Sequence, residues 1–390
     1  MHHHRPLLTL ATAMFAIGTD SFVIAGILPD AARTLHVPLT TASWLLTAYA
    51  LTYAFLGPVM ATLTTHWPRR TLFLTGFTLF TTGNLLTAYT PHFGIALAAR
   101  ALAGLGGAMI TPAAVAAATA LAPPQRRGRA IATVMTGLSA ATALGSPLGT
   151  AIASLTDDWR TTLLFVTTLG LLAAAGTALS LPTLPTPPAI PLRTRLTPLT
   201  DHRTGLTLLT TLLAYTGLYT VYSFIGPALD RATHDNGTTL AALLFAWGLA
   251  ATAGTLTSGP LTDRYGSRRV INTAITLAAI NFALLPWTSA HLPTTLAALL
   301  IWGLCGWGLL TPQTHRLITT RPTDAPLLTG LASAAVYTGV AAAPLAGQAG
   351  LTWHGPHWLG PLGATLLILS LGTAEAAHTT IHRRKETEPR

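Results

Sequence analysis

The sequence predicts an all-α integral membrane protein of about twelve transmembrane helices, built as two six-helix bundles that repeat one another in parallel. Three observations carry this prediction. Half of the 390 residues are hydrophobic, 9% are charged and the mean hydropathy is +0.51, a balance foreign to ordinary soluble domains. Runs of about 20 apolar and small residues recur along the whole chain with most of the Arg at their flanks, the pattern of bilayer-spanning helices. The two halves also echo each other. Arg69-Arg70 matches Arg268-Arg269 199 residues later, Thr111-Pro112 matches Thr311-Pro312 200 later, and Pro147 and Pro344 are 197 apart.

The first span is expected from Leu7 to Leu28. It contains Asp20, which argues for a retained helix rather than a cleaved signal. Spans then follow at Ser43 to Leu63, Thr71 to Tyr89, Phe93 to Leu121, Arg129 to Leu155 and Thr161 to Leu181, which close an N-terminal bundle over 1–181. Residues 182–203 are rich in Pro and hold Arg193, Arg195 and Arg203, the composition of a cytoplasmic linker. The second bundle, with a short basic tail, occupies 204–390. Its spans are expected at Thr204 to Leu229, Thr238 to Leu261, Arg268 to Ala290, Pro293 to Thr319, Pro326 to Ala349 and His357 to Ala377.

With the N-terminus cytoplasmic, 18 of the 22 basic residues fall on the cytoplasmic side; Arg33, Arg160 and Arg231 lie outside and Arg100 within the membrane. Six of the nine Trp (Trp44, Trp67, Trp159, Trp287, Trp353, Trp358) fall at span ends, as an interfacial belt requires. The net charge of +10 therefore reports orientation and implies no nucleic-acid partner. Cys305 has no partner for a disulfide, and neither a cofactor nor a metal site is expected. The predicted location is the inner (plasma) membrane of a cell, with both termini cytoplasmic.

Several motifs resemble the major facilitator superfamily. Gly259-Pro-Leu-Thr-Asp263-Arg264-Tyr-Gly266-Ser-Arg268-Arg269 is similar to the family's loop motif G-x-x-x-D-R-x-G-R/x-R/K-R/K after helix 8. Its N-terminal counterpart keeps Arg69-Arg70 but has Thr64 for the Asp and Trp67 for the Gly. Arg100-Ala-Leu-Ala-Gly104-Leu-Gly106 resembles the helix 4 pattern R-x-x-x-G-x-G, and Gly145-Ser-Pro147-Leu-Gly149 resembles part of the antiporter signature. The opening Gly18-Thr19-Asp20-Ser21-Phe22 is similar to the drug and proton antiporter branch, which includes chloramphenicol-type, multidrug, sugar and nucleoside exporters; Ser21 stands where members often carry Glu.

The resemblance implies a secondary active transporter, a monomer in lipid, coupling protons to the efflux of small organic compounds of drug or antibiotic type by alternating access. Export of sugars or nucleosides, uptake, and a channel or non-transporting sensor remain alternatives at this stage. An enzyme is not expected, since no H-E-x-x-H, G-x-S-x-G or Walker pattern occurs.

Asp20 and Arg100 are read as deep intramembrane charges at nearly equal depth. Asp20 is expected to couple protons, with its charge governed by water access and by Arg100; the alternative is a static Asp20 partnered by neighbouring hydroxyls such as Thr19, and a purely structural ion-pair or hydrogen-bond role for Arg100. Tyr215, Tyr219 and Tyr222 share one face of helix 7 at i, i+4 and i+7. With Tyr49, Tyr53, Trp302, Trp307, Gln313 and Tyr337 they form the expected substrate contacts, suited to a neutral or amphiphilic ligand. Gating is assigned to Asp263, Arg264, Gly266, Arg268, Arg269, Arg69, Arg70, Gly145, Pro147 and Gly149. By family analogy Asp263 meets the N-terminus of helix 5 near Arg127 to Arg129 as a latch, and Thr64 weakens the mirrored one.

Overall fold

A computed structural model describes residues 4–64, 66–123, 126–184, 197–320 and 325–387. Much of the expected linker (185–196) and Arg321 lie outside the described residues. No strand occurs among those described. The long helices are α1 (His4–Thr34), α2 (Leu39–Leu63), α3 (Arg69–Tyr89), α4 (Phe93–Leu121), α5 (Arg127–Ala140, a π-helical turn Ala141–Gly145, then Ser146–Thr156) and α6 (Arg160–Ser180). They continue as α7 (His202–Tyr222), α8 (Gly237–Tyr265), α9 (Ser267–Thr288), α10 (Leu292–Gly308 and Leu310–Thr320), α11 (Ala325–His354) and α12 (Leu359–Thr387).

The chain divides into two compact units, one of Met1–Ile190 with Asp235–Gly248, the other of Pro191–His234 with Leu249–Arg390. In the first, α1 packs along α5 and α6, and α3 lies between α4 and α6. In the second, α7 packs along α11 and α12, and α9 lies between α10 and α12. The same pairs recur six helices later, which is the repeat announced by the matching Arg and Pro positions.

Small residues set these separations. A Cβ on Gly83 would stand 2.6 Å from both the Ala103 nitrogen and the Ala99 carbonyl oxygen, so α3 and α4 touch through backbone, and only glycine fits. Phe73, Phe77 and Phe80 of α3 fill the core beside that seam. Around the π-turn of α5, Gly145 abuts the Thr19 side chain so closely that a Cβ would overlap it. In the second unit Leu208, Leu317, Leu328, Leu331, Ala332 and Ala335 form an apolar cluster joining α7, α10 and α11. Leucines such as Leu171, Leu172, Leu256 and Leu369 remain exposed on outward faces, as helices solvated by lipid allow.

Among the described residues ten helices are long and apolar enough to cross a membrane, and α3 and α7, at 21 residues each, are long enough but less apolar. Their polarity is largely threonine hydroxyl bonded within its own helix, although Thr210 also meets the Thr373 hydroxyl of α12 at 2.9 Å. Thr78, Thr81 and Thr87 donate to the carbonyls of Leu74, Phe77 and Gly83, and Thr207, Thr210, Thr211, Thr216 and Thr220 each donate to a carbonyl four residues back. A hydroxyl so bonded presents little unmet polarity to its surroundings.

The boundaries differ from expectation in places. Helix α7 stops at Tyr222 rather than reaching Leu229: Phe224 leaves the helical region at φ −126° and ψ 39°, and Gly226-Pro227 falls in a separate single turn, Ile225–Ala228. Trp287, Trp353 and Trp358 are exposed at helix ends, but Trp159 is buried and donates its indole N–H to the Thr34 hydroxyl at 3.1 Å, so it serves packing rather than an interfacial belt.

Candidate functional site

The first unit buries a pair of opposite charges. Asp20 on α1 is 0% exposed and Arg100 on α4 is 1% exposed, and Arg100 Nη1 donates to Asp20 Oδ1 at 2.7 Å. Neither charge would be tolerated alone at such depth, whereas a hydrogen-bonded pair offsets much of its desolvation. Asn84 of α3 completes the group. Its Oδ1 accepts from the same Nη1 at 3.2 Å, while its Nδ2 donates to the Phe80 carbonyl at 3.0 Å and approaches Asp20 Oδ2 at 3.4 Å. The guanidinium carbon also lies 4.6 Å from the ring centroid of Tyr49 on α2, within cation–π range. The Ser21 hydroxyl donates to the Ile17 carbonyl at 2.9 Å and meets the Tyr49 hydroxyl at 3.2 Å.

Four helices thus converge on one ion pair. Thr19 is not part of the group: its hydroxyl donates to the Phe15 carbonyl at 2.8 Å. Asn84 was not singled out by sequence reasoning, although an amide in the middle of a span is itself a signal.

In the second unit Tyr215, Tyr219 and Tyr222 stack down α7, with ring centroids 6.2 Å and then 5.4 Å apart. Tyr222 meets Trp302 of α10 edge-on at 6.2 Å, and Trp302 meets Phe282 of α9 edge-on at 5.0 Å. The helical spacing therefore yields a continuous aromatic face, to which Phe282 is an addition. Gln313 is buried, and neither end of its carboxamide has a hydrogen-bond partner among the described residues; the same is true of the Tyr215 hydroxyl. Trp307 and Tyr337 are half-buried. Tyr49 and Tyr53 stack at 6.4 Å on α2 of the first unit, apart from this ladder in sequence and in unit.

Most of the expected gating residues lie at helix ends. Asp263, Arg264, Arg268, Arg269 and Arg70 are exposed and Arg69 is half-buried. Gly266 adopts φ +80° between α8 and α9, a left-handed turn that glycine makes without strain. Arg268 grips Glu375 of α12 with two hydrogen bonds of 3.1 and 2.5 Å, and Asn272 donates to the same carboxylate. Buried Arg316 donates to the Ala374 carbonyl at 2.8 Å. This tie of α9 and α10 to α12 was not foreseen, because Glu375 sits 107 residues from Arg268 and no local pattern links them. Gly145 and Gly149 are buried with Pro147 in α5 against α1.

Among the described residues no group of three or more His, Cys, Asp or Glu gathers as a metal site would need. Compared with known proteins, residues 10–205 and 207–388 match the family model described as Major Facilitator Superfamily. The chain belongs to that superfamily. It is a multi-pass membrane transporter of the all-α major facilitator fold, and its two matched segments coincide with the helix repeat described above. Among its relatives are the MFS-type transporter YbcL of Bacillus subtilis, 28% identical over 366 residues and 93% of each chain. A chloramphenicol resistance protein of Streptomyces lividans is 29% identical over 371 residues, 94% of each chain. The inner membrane transport protein YdhP of Escherichia coli is 28% identical over 370 residues, 93% of this chain and 94% of its own.

Proposed function

We propose that this transporter exports small organic compounds of drug or antibiotic type across the plasma membrane in exchange for protons, by alternating access. The observation that carries the reading is the fully buried Asp20–Arg100 pair, held by one neutral amide and one aromatic ring. A buried carboxylate in lipid surroundings needs a partner to offset its lost hydration, and Arg100 is that partner. A proton arriving at Asp20 cancels the attraction between α1 and α4 and changes which arrangement of the two helices is favoured. Loss of the proton restores the pair. Protonation and conformation are then linked through one contact.

The aromatic faces of Tyr215, Tyr219, Tyr222 and Trp302, and of Tyr49 and Tyr53, suit a ligand with a flat apolar body, and the bare carboxamide of Gln313 adds a donor and an acceptor. The name of the Streptomyces lividans relative supports efflux of an antibiotic as the type of cargo. In this reading the protein works as a monomer with both termini cytoplasmic, and its halves are 1–181 and 204–390, joined by 182–203.

The test is flux in proteoliposomes under an imposed pH gradient, with a panel of neutral and cationic drugs, sugars and nucleosides and a pH-sensitive dye inside. Drug movement against its gradient, with opposite proton flow lost in Asp20→Asn, is the expected result. Undiminished gradient-driven transport by Asp20→Asn across pH overturns the coupling role. Transport of sugars or nucleosides alone overturns the cargo class.

A further inference from the structure

Asp20 and Arg100 are not sufficient by themselves for a reversible proton step. When Asp20 is neutralised, Arg100 remains charged, buried and already short of partners: its Nε has none among the described residues. An arginine in that position opposes protonation of the carboxylate that holds it. Asn84 alters this balance. Its Oδ1 already accepts from the very Nη1 that serves Asp20, at 3.2 Å against 2.7 Å. The amide cannot swing away, since Nδ2 is anchored on the Phe80 carbonyl of its own helix at 3.0 Å.

We propose that Asn84 is a positioning residue for proton exchange: it retains the Arg100 guanidinium while Asp20 is protonated, so that the carboxylate can take up and release its proton without stranding a buried cation. The inference rests on the proton-coupling reading of Asp20. Loss of the 3.4 Å approach of Nδ2 to Asp20 Oδ2 acts in the opposite direction, favouring protonation, but that contact is the longer and weaker one. The acceptor side therefore dominates. The other groups facing Asp20 are Arg100 from α4 and, through Arg100 and Ser21, the Tyr49 ring and hydroxyl from α2. The ionisable residues of α5 and α6 are Arg127, Arg129 and Arg160, all in the first turn of their helices and far in sequence from this depth.

Two replacements give opposite signs. Asn84→Leu removes the acceptor and is expected to move proton uptake by Asp20 toward acid by about one pH unit, the size of one hydrogen bond to a buried charge. Asn84→Asp places a competing carboxylate beside Arg100 and is expected to move it the other way. The readout is the infrared band of the protonated carboxyl, followed with pH in reconstituted full-length protein, each spectrum taken against the same variant carrying Asp20→Asn. A residue that only supports packing lowers yield or thermal stability and leaves the midpoint in place. Midpoints equal to that of the wild type in both variants overturn the role of Asn84 while leaving Asp20 as the coupling group. Should the wild type show no Asp20-dependent band between about pH 4 and about pH 9, the coupling reading itself falls, and this inference with it. Asn84→Ala, smaller than leucine and likewise without the acceptor, decides the matter if the leucine variant does not assemble, with the same move toward acid expected.

Discussion

Breaking the Asp20–Arg100 pair from its two sides should destabilise the fold by different amounts, because the survivors are unequally supported. In Arg100→Leu, Asp20 keeps only the Asn84 amide at 3.4 Å, too long for a strong bond, so nearly the whole penalty of stranding a buried charge is expected, about 3–5 kcal/mol. In Asp20→Asn the guanidinium keeps Asn84 Oδ1 at 3.2 Å and the Tyr49 ring at 4.6 Å. A hydrogen bond to a charged group contributes about 1.5–3 kcal/mol and a desolvated cation–π contact about 2 kcal/mol, which reduces the expected loss to roughly 1–3 kcal/mol. The double variant removes both charges and should fall about 2–3 kcal/mol short of the sum of the single effects. Unfolding of the purified protein by SDS in mixed micelles, followed by tryptophan fluorescence at fixed pH and salt, measures all three. Equal losses in the two single variants, or strict additivity in the double, would refute the partition of contacts described above.

Three further outcomes follow from packing and solvation. Gly83→Ala drives a methyl into the α4 backbone, 2.6 Å from Ala103 N, and should lower stability by about 1–3 kcal/mol, whereas Gly94→Ala, with open space around it, should stay within about 0.5 kcal/mol; melting temperatures of the pair give the contrast. Glu375→Gln dissolves an ion pair whose members are 51% and 36% exposed, so after solvent screening its effect should be under about 1 kcal/mol and vanish in high salt, as a denaturation series in salt would record. Thr211→Val deletes a hydroxyl that, among the described residues, bonds only to the Thr207 carbonyl of its own helix, and a change under about 1 kcal/mol is expected in the same micelle assay.

The fold was legible because lipid imposes long apolar runs and Arg-marked flanks, and because the repeat preserves Arg-Arg and Thr-Pro pairs at fixed spacing. The nearness of Asp20 to Arg100 was suggested by counting residues along their two helices, and the tyrosine face by the 3.6-residue period. What escaped was what depends on neighbours distant in sequence. Asn84 joins the pair only because α3 docks on α4 through Gly83, and Glu375 finds Arg268 only because α12 lies against α9. The end of α7 escaped for a local reason: an apolar stretch continues past Tyr222, and hydropathy does not register the turn at Phe224.

The threonines of α3 and α7 bear on how the protein is made. A nascent segment meets the bilayer before its future neighbours exist, and any group relying on them would arrive unsatisfied. Hydroxyls already closed on the carbonyl one turn back, and an Asn84 amide similarly tied to Phe80, carry their own partners through the insertion machinery. These two helices can therefore be threaded into the membrane in order of synthesis, without waiting for the remainder of the bundle.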